Sequence, residues 1–109
     1  GGLVGIHQFT RIGSGVILGA GSMVSKDVPP YCNATGDRAR LRGLNLEGLK
    51  RRRIEKEKIE ALRKAYRIMF RSKLKTREAI AKVRKELSGS AEAEQLASFV
   101  ENSQRGVCR

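Results

Sequence analysis

Aliphatic residues recur at a strict period of six along the first part of the chain, at Ile6, Ile12, Leu18 and Val24. Helices repeat about every 3.6 residues and strands about every 2.0, so neither produces this spacing. A period of six is that of a hexapeptide-repeat parallel β-helix, in which each hexad makes one short strand and one turn. In this frame the four lead residues point into the prism, and the small or β-branched fifth positions, Thr10, Val16, Ser22 and Val28, fill the space beside them. Gly13 and Gly19 then stand where the chain corners without the penalty of a Cβ.

The six-residue pattern stops at Val28-Pro29-Pro30-Tyr31. Two consecutive prolines remove backbone donors and impose extended geometry, which ends a repeat ladder. Residues 1–30 therefore read as the end of a β-helix and 31–44 as a connecting arm, with turn chemistry at Asn33-Ala34-Thr35-Gly36-Asp37. From residue 45 to 109 the period becomes helical. Asn45 caps a short helix through Arg52, with Glu47 in its first turn and Lys50, Arg51 and Arg52 in its last. Ile59, Leu62, Tyr66, Met69 and Phe70 mark one face of a second helix ending near Ser72. A third starts at a Thr76 cap, buries Ile80, Val83 and Leu87, and stops at Ser88-Gly89. Ser90 caps a fourth, with Leu96, Phe99 and Val100 on one face. These stripes are narrow, as in a small helical bundle packed on itself and on the β-helix.

Composition separates the two halves further. The chain carries 23 Lys and Arg against 11 Asp and Glu, a formal net charge of +12, and most of the cations fall between Arg38 and Lys85. Aromatic residues amount to only 5% and are not interleaved with the basic runs, which argues against a nucleic-acid interface. Cys32 and Cys108 lie far apart without metal-ligand spacing, a usage that fits a reducing cytoplasm. One histidine, His7, and no Cys, His or carboxylate cluster leave no set for a zinc site. Walker and Rossmann glycine patterns are absent, as is any apolar run long enough for a transmembrane segment. Gly1-Gly2-Leu3-Val4-Gly5 reads as the tail of an earlier hexad, so the expectation is a carboxyl-terminal piece of a longer protein.

Four blocks carry a family resemblance: Val4-Gly5-Ile6-His7-Gln8-Phe9, Asp27-Val28-Pro29-Pro30-Tyr31, Gly36-Asp37-Arg38-Ala39, and Gly43-Leu44-Asn45-Leu46-Glu47-Gly48-Leu49-Lys50-Arg51-Arg52. In this order and spacing, and with the ending Ser103-Gln104-Arg105-Gly106, the chain resembles the UDP-N-acetylglucosamine O-acyltransferases that begin lipid A synthesis. The resemblance implies a homotrimer of left-handed parallel β-helices, each with a helical carboxyl-terminal domain, and active sites in clefts between subunits. It implies transfer of a 3-hydroxyacyl chain from the phosphopantetheine arm of acyl carrier protein to the 3-hydroxyl of UDP-N-acetylglucosamine. No bound cofactor is implied. The family's general-base histidine belongs to an earlier coil, so no catalytic residue falls in this chain, which is expected to be inactive alone.

Carried over residue by residue, the resemblance makes His7 and Gln8 substrate neighbours and places Asn45, Glu47, Arg51 and Arg52 at the nucleotide end. Guanidinium forks suit a diphosphate, and Asn and Glu suit a uracil and ribose. The plain alternatives are a turn histidine bonded to its neighbour and helix-end cations that satisfy the dipole. Ala20 falls at the floor of the acyl groove. Arg63, Lys64, Arg67 and Arg71 are spaced to share one flank of the second helix, where they would steer an acidic carrier or form a solvated surface. Arg53-Ile54-Glu55-Lys56 departs from the pattern and predicts that the first two helices merge or meet at a tighter bend. Arg38 stands where some relatives carry histidine, adding a phosphate or carrier contact. Two other readings stand beside this one: another hexapeptide-repeat sugar acyl- or acetyltransferase, and a non-catalytic domain that trimerises and docks a carrier.

Overall fold

The computed structural model describes residues 3–109. Three two-residue strands arise from the hexads: β1 (Gly5–Ile6), β2 (Ile17–Leu18) and β3 (Met23–Val24). β1 pairs in parallel with β3, Gly5 facing Met23 and Ile6 facing Val24. Partners in this pair lie three hexads apart, and Ile12 bridges Val28, also in parallel but two residues short of that offset.

Burial is graded along this segment. Ile6 is 50% exposed and Ile12 37%, Leu18 is half-buried, and Val24 is 2% exposed. Enclosure of every lead residue, expected from the repeat, is reached only at Val24. Stacked repeats cover each other from above and below, and among the described residues Ile6 and Ile12 have a layer on one side only. The glycines also divide differently from expectation. A Cβ on Gly13 would lie 2.4 Å from the Pro30 nitrogen, and one on Gly19 2.5 Å from Thr35 Cγ2, so both are glycine because the next layer passes against them. The corners fall two residues later, where Phe9 (φ 67°), Gly15 (φ 71°) and Gly21 (φ 76°) turn left-handed at intervals of six.

The stretch expected to be a connecting arm is regular strand. β4 (Cys32–Thr35) pairs in parallel with β2 and antiparallel with β5 (Arg40–Leu44), giving the order β2-β4-β5. Side chains alternate as in any half-covered strand: Cys32, Ala34 and Leu41 are buried, while Arg40 and Arg42 face out. The register slips between Asn33 and Ala34, which leaves Arg42 without an opposite residue.

The helices are α1 (Leu46–Arg51), α2 (Lys56–Tyr66), α3 (Thr76–Glu86) and α4 (Ala91–Glu101). The second helix runs as far as expected, but Arg67–Arg71 form a π-helical turn. α1 and α2 do not merge, because Arg53 adopts a left-handed φ of 56° between them. Thr76 is not a cap: Lys75 precedes α3 without a side-chain bond, and Thr76 Oγ1 accepts from Arg109 Nη2 at 2.7 Å. Ser90 caps α4 as expected, its Oγ accepting from the Ala93 N–H at 3.0 Å.

Leu62, Ala65, Ile80, Val83, Leu96 and Ala97 form the buried seam of α2, α3 and α4, and α2 also meets β5. Each fully buried Leu or Val here contributes about 1.5–3 kcal/mol. Arg84 staples α3 to α4 by donating to Glu94 at 3.0 Å and to Glu101 at 2.8 Å. These bonds hold both carboxyls below the usual range, Glu94 through Arg84 first and then Ser98, and Glu101 through Arg84.

After α4 the tail returns to the hexads. Val107 bridges Asp27 in parallel, and the buried Asp27 carboxylate accepts from Ser103 Oγ at 2.6 Å and from the Arg11 N–H at 2.8 Å. Two of the sequence blocks, Asp27 to Tyr31 and Ser103 to Gly106, are thereby one structural unit.

Candidate functional site

The site is built outward from Asn45. Its Oδ1 accepts the Gly48 N–H at 3.0 Å and caps α1, its Nδ2 donates to the Gly15 carbonyl at 3.0 Å, and its backbone N–H donates to the Tyr31 carbonyl at 2.7 Å. One buried side chain therefore caps the helix and bolts it to a hexad corner. Gly48 makes room for this: a Cβ there would lie 2.4 Å from Asn45 Nδ2. The order Asn-Leu-Glu-Gly follows from that seating.

Two adjoining cavities flank α1. One of about 340 Å³ is lined by Gly15, Val16, Tyr31 and Arg52, among others. The other, about 520 Å³, is lined by residues that include Gly19, Asn33, Thr35, Arg42 and Glu47. They share Ile17, Asn45, Gly48 and Arg51, so together they form one groove along β2 and the helix. Arg51 Nη2 donates to Glu47 Oε1 at 2.8 Å, with both side chains largely in solvent. An exposed pair of this kind contributes about 0–1 kcal/mol, so a phosphate can displace the carboxylate at little cost. Arg52 reaches back over Gly15, its Nη1 3.5 Å from where a Cβ would stand, and it carries no ion pair among the described residues. Arg42 Nε donates to Thr35 Oγ1 at 2.8 Å, and both residues line the second cavity.

His7 and Gln8 are exposed on a different surface. His7 lines a cavity of about 690 Å³ with Met23, Lys26, Asp37, Arg38 and Arg105 among its walls, and this cavity shares no residue with the groove at α1. Within one chain, then, the two expected substrate-binding sets stand apart. Ala20 is exposed and lines none of these three cavities.

Arg63, Lys64 and Arg67 are exposed, with Arg63 3.8 Å from Glu60 and Lys64 3.5 Å from Glu86. Arg71 is exposed as well, and its Nη2 donates to the Leu41 carbonyl at 3.3 Å and to Tyr66 Oη at 3.1 Å, tying the π turn to β5. Burial raises the Tyr66 phenol, and the charge of Arg71 opposes that rise.

Tyr31, Arg42 and Arg105 were not singled out from sequence. Tyr31 sits at φ 66° and donates to Gln95 Oε1 at 2.5 Å, fixing the groove wall to α4. The alternation of 40–44 was the available signal for Arg42, while Arg105 was visible only as part of the closing block. Cys32 is buried, its thiol pushed up to about 12 by desolvation first and then by Cys108, so it is no nucleophile. Among the described residues no group of His, Cys, Asp and Glu could hold a metal ion, and no helix is long and apolar enough to cross a membrane.

The chain is thus a short-stranded parallel segment closed by a helical pack, with a guanidinium-lined groove at their junction. It superposes on LpxA, a UDP-N-acetylglucosamine acyltransferase from Bacteroides fragilis, with a TM-score of 0.93 and 42% identity, over 97% of this chain and 42% of that one. LpxA from Acinetobacter baumannii gives a TM-score of 0.92 at 40% identity, again over 97% of this chain and 42% of the other. The acyl-[acyl-carrier-protein]–UDP-N-acetylglucosamine O-acyltransferase of Myxococcus xanthus is 48% identical over 99% of this chain and 42% of its own length. The chain belongs to the UDP N-acetylglucosamine O-acyltransferase family, matching its domain 2 over residues 27–108. It spans about 42% of the length of these relatives.

Proposed function

We propose that the chain is the carboxyl-terminal part of an O-acyltransferase. The enzyme moves a 3-hydroxyacyl group from the phosphopantetheine arm of acyl carrier protein to the 3-hydroxyl of UDP-N-acetylglucosamine, the first step of lipid A synthesis. The supporting observation is the groove at α1, which Arg42, Arg51 and Arg52 line together with Gly15 and Gly19. A diphosphate matches that arrangement because each guanidinium offers two parallel donors to its oxygens. Asn45 serves by seating α1, since its Oδ1 and one Nδ2 hydrogen are already engaged. Glu47, released from Arg51, is left to accept from a ribose hydroxyl.

In this reading hexads 6–29 are the last circuits of a left-handed parallel β-helix, and three copies assemble in the cytoplasm with a cleft at each junction. The separation of His7 and Gln8 from the α1 groove fits such a cleft, because two neighbouring subunits would each supply one half. The base that takes the proton from the sugar hydroxyl comes from residues outside this chain. The freed oxygen attacks the thioester carbonyl, and the tetrahedral intermediate collapses with the pantetheine thiolate leaving. Arg63, Lys64 and Arg67 form the carrier-facing cations, with Arg71 as a strut behind them. Ala20 borders the acyl tail from the cleft side; an Ala20→Met enzyme then prefers a shorter chain in a competition among graded 3-hydroxyacyl carriers, and an unchanged optimum removes that role.

The decisive assay is incubation of the full-length protein with 3-hydroxyacyl carrier protein and UDP-N-acetylglucosamine, with mass spectrometry of the nucleotide sugar. A product heavier by one 3-hydroxyacyl group supports the proposal. Transfer from acetyl coenzyme A instead would assign the protein to a different hexapeptide-repeat transferase.

A further inference from the structure

The tail does more than close the fold, because it places a cation on the turn that carries the only imidazole of the chain. Around it the backbone is fixed: the Asp27 N–H donates to the Gly106 carbonyl at 3.0 Å, and the Cys108 N–H donates to the Asp27 carbonyl at 2.8 Å. Ser103 is held by the Asp27 carboxylate, so Arg105 projects from a segment tied on both sides. Its guanidinium spans three groups. Nη2 donates to the Gln8 carbonyl at 3.2 Å, Nη1 donates to the Ser25 carbonyl at 3.3 Å, and Nη1 lies 3.1 Å from His7 Nδ1.

A guanidinium donates and never accepts, so its contact with Nδ1 requires a lone pair there. The proton of the neutral ring then sits on Nε2. A second partner competes for the same nitrogen: the Gln8 carbonyl is 3.0 Å from Nδ1, and that bond requires Nδ1–H. The two arrangements exclude each other. Arg105 decides between them, since it occupies Nδ1 as a donor and also engages the Gln8 carbonyl that would otherwise accept from the ring. The next residue, Phe9, is 83% exposed and held at φ 67°, an unfavourable backbone state for a side chain with a Cβ. Arg105 bonds the carbonyl that immediately precedes Phe9.

We propose that Arg105 is a positioning residue which, from the tail, fixes the His7-Gln8-Phe9 turn and selects the Nε2–H tautomer of His7, so that His7 offers a hydrogen-bond donor to a substrate oxygen. This rests on the reading of His7 and Gln8 as substrate neighbours. It also separates His7 from the general base, because an Nε2 that carries the proton cannot accept one. The oxygen belongs to the sugar nucleotide or to the acyl chain; the KM that moves identifies which.

The test uses full-length enzyme with 15N-labelled imidazoles, in which the His7 signals are those lost in His7→Ala. Wild type should show an unprotonated Nδ1 and a protonated Nε2, and Arg105→Ala should move the proton to Nδ1. In kinetics, Arg105→Ala should raise one KM about tenfold with kcat changed less than about twofold, the pattern of lost ground-state binding. Arg105→Lys, which still donates, should recover the tautomer and part of the KM. In the His7→Ala background, Arg105→Ala should add less than about twofold. A wild-type Nδ1–H signal, or an Arg105→Ala effect undiminished in the absence of His7, overturns the proposal. A His7→Ala enzyme with both KM values unchanged overturns instead the substrate reading on which it rests.

Discussion

Gly48→Ala puts the seating of α1 to a quantitative test, because two opposite effects meet at one atom. Alanine is the better helix former by about 1 kcal/mol, so propensity alone favours the change. Against this, the new Cβ would stand 2.4 Å from Asn45 Nδ2 and 2.9 Å from its Cγ, contacts that only withdrawal of the Asn45 side chain can relieve. Withdrawal removes the cap bond to Gly48, worth about 1 kcal/mol. It also breaks the bond to the Gly15 carbonyl and leaves that part-buried acceptor unpaired, together about 1–2 kcal/mol. The net expectation is destabilisation by about 1–2 kcal/mol. In an Asn45→Ala background the obstacle and the cap are both gone, and the same substitution should now stabilise by about 1 kcal/mol. Urea denaturation of the four full-length variants measures this reversal of sign. Gly48→Ala acting with the same sign and size in both backgrounds would refute the argument that Gly48 exists to seat Asn45.

Three further expectations are independent of the first. Charge reversal of Arg63 and Arg67 should raise the carrier's KM, and the wild-type KM should rise with salt as screening weakens the encounter; a salt-independent KM counts against steering. Cys32, with its thiol pushed up from 9.0 to about 12, should resist alkylation at pH 8 until the protein unfolds. Because the folded value lies above the unfolded one, its contribution to stability is full below pH 9.0 and is lost as pH rises toward about 12, so the urea midpoint should fall over that window less steeply in Cys32→Ala. Glu94 and Glu101 are held low, so their contribution is present above the ordinary carboxylate range and disappears as pH falls through their depressed values. Carboxyl NMR titration should show both midpoints returning upward in Arg84→Gln, and unmoved midpoints would contradict the Arg84 fork.

The period of six was readable because the parallel pairing of β1 with β3 repeats the same side-chain demand every three hexads. The roles of the glycines were not, since composition alone does not distinguish Gly13, pressed by Pro30, from Gly15, turned left-handed. The prolines at 29 and 30 hid β4 and β5, although Cys32-Asn33-Ala34-Thr35 and Arg40-Leu41-Arg42 alternate with the period of a strand. Helix positions followed from apolar spacing, but the π turn at Arg67–Arg71 did not. At the groove, capping chemistry gave Asn45 as the start of α1, while helix-end charge left Arg51 and Arg52 as plain dipole partners and only the family resemblance pointed to them as ligands. Tyr31 and Arg105 reach it or the His7 turn through a left-handed corner and a returning tail, long-range features with no local sequence signal, whereas Arg42 had the alternation of its strand.

The central claim is that the α1 groove holds the diphosphate of a sugar nucleotide, and calorimetric titration of UDP-N-acetylglucosamine into the full-length enzyme tests it most directly. Arg51→Ala and Arg52→Ala should each weaken binding by about 1.5–3 kcal/mol, the range for hydrogen bonds to charged groups. Unchanged affinity in both variants would contradict the account.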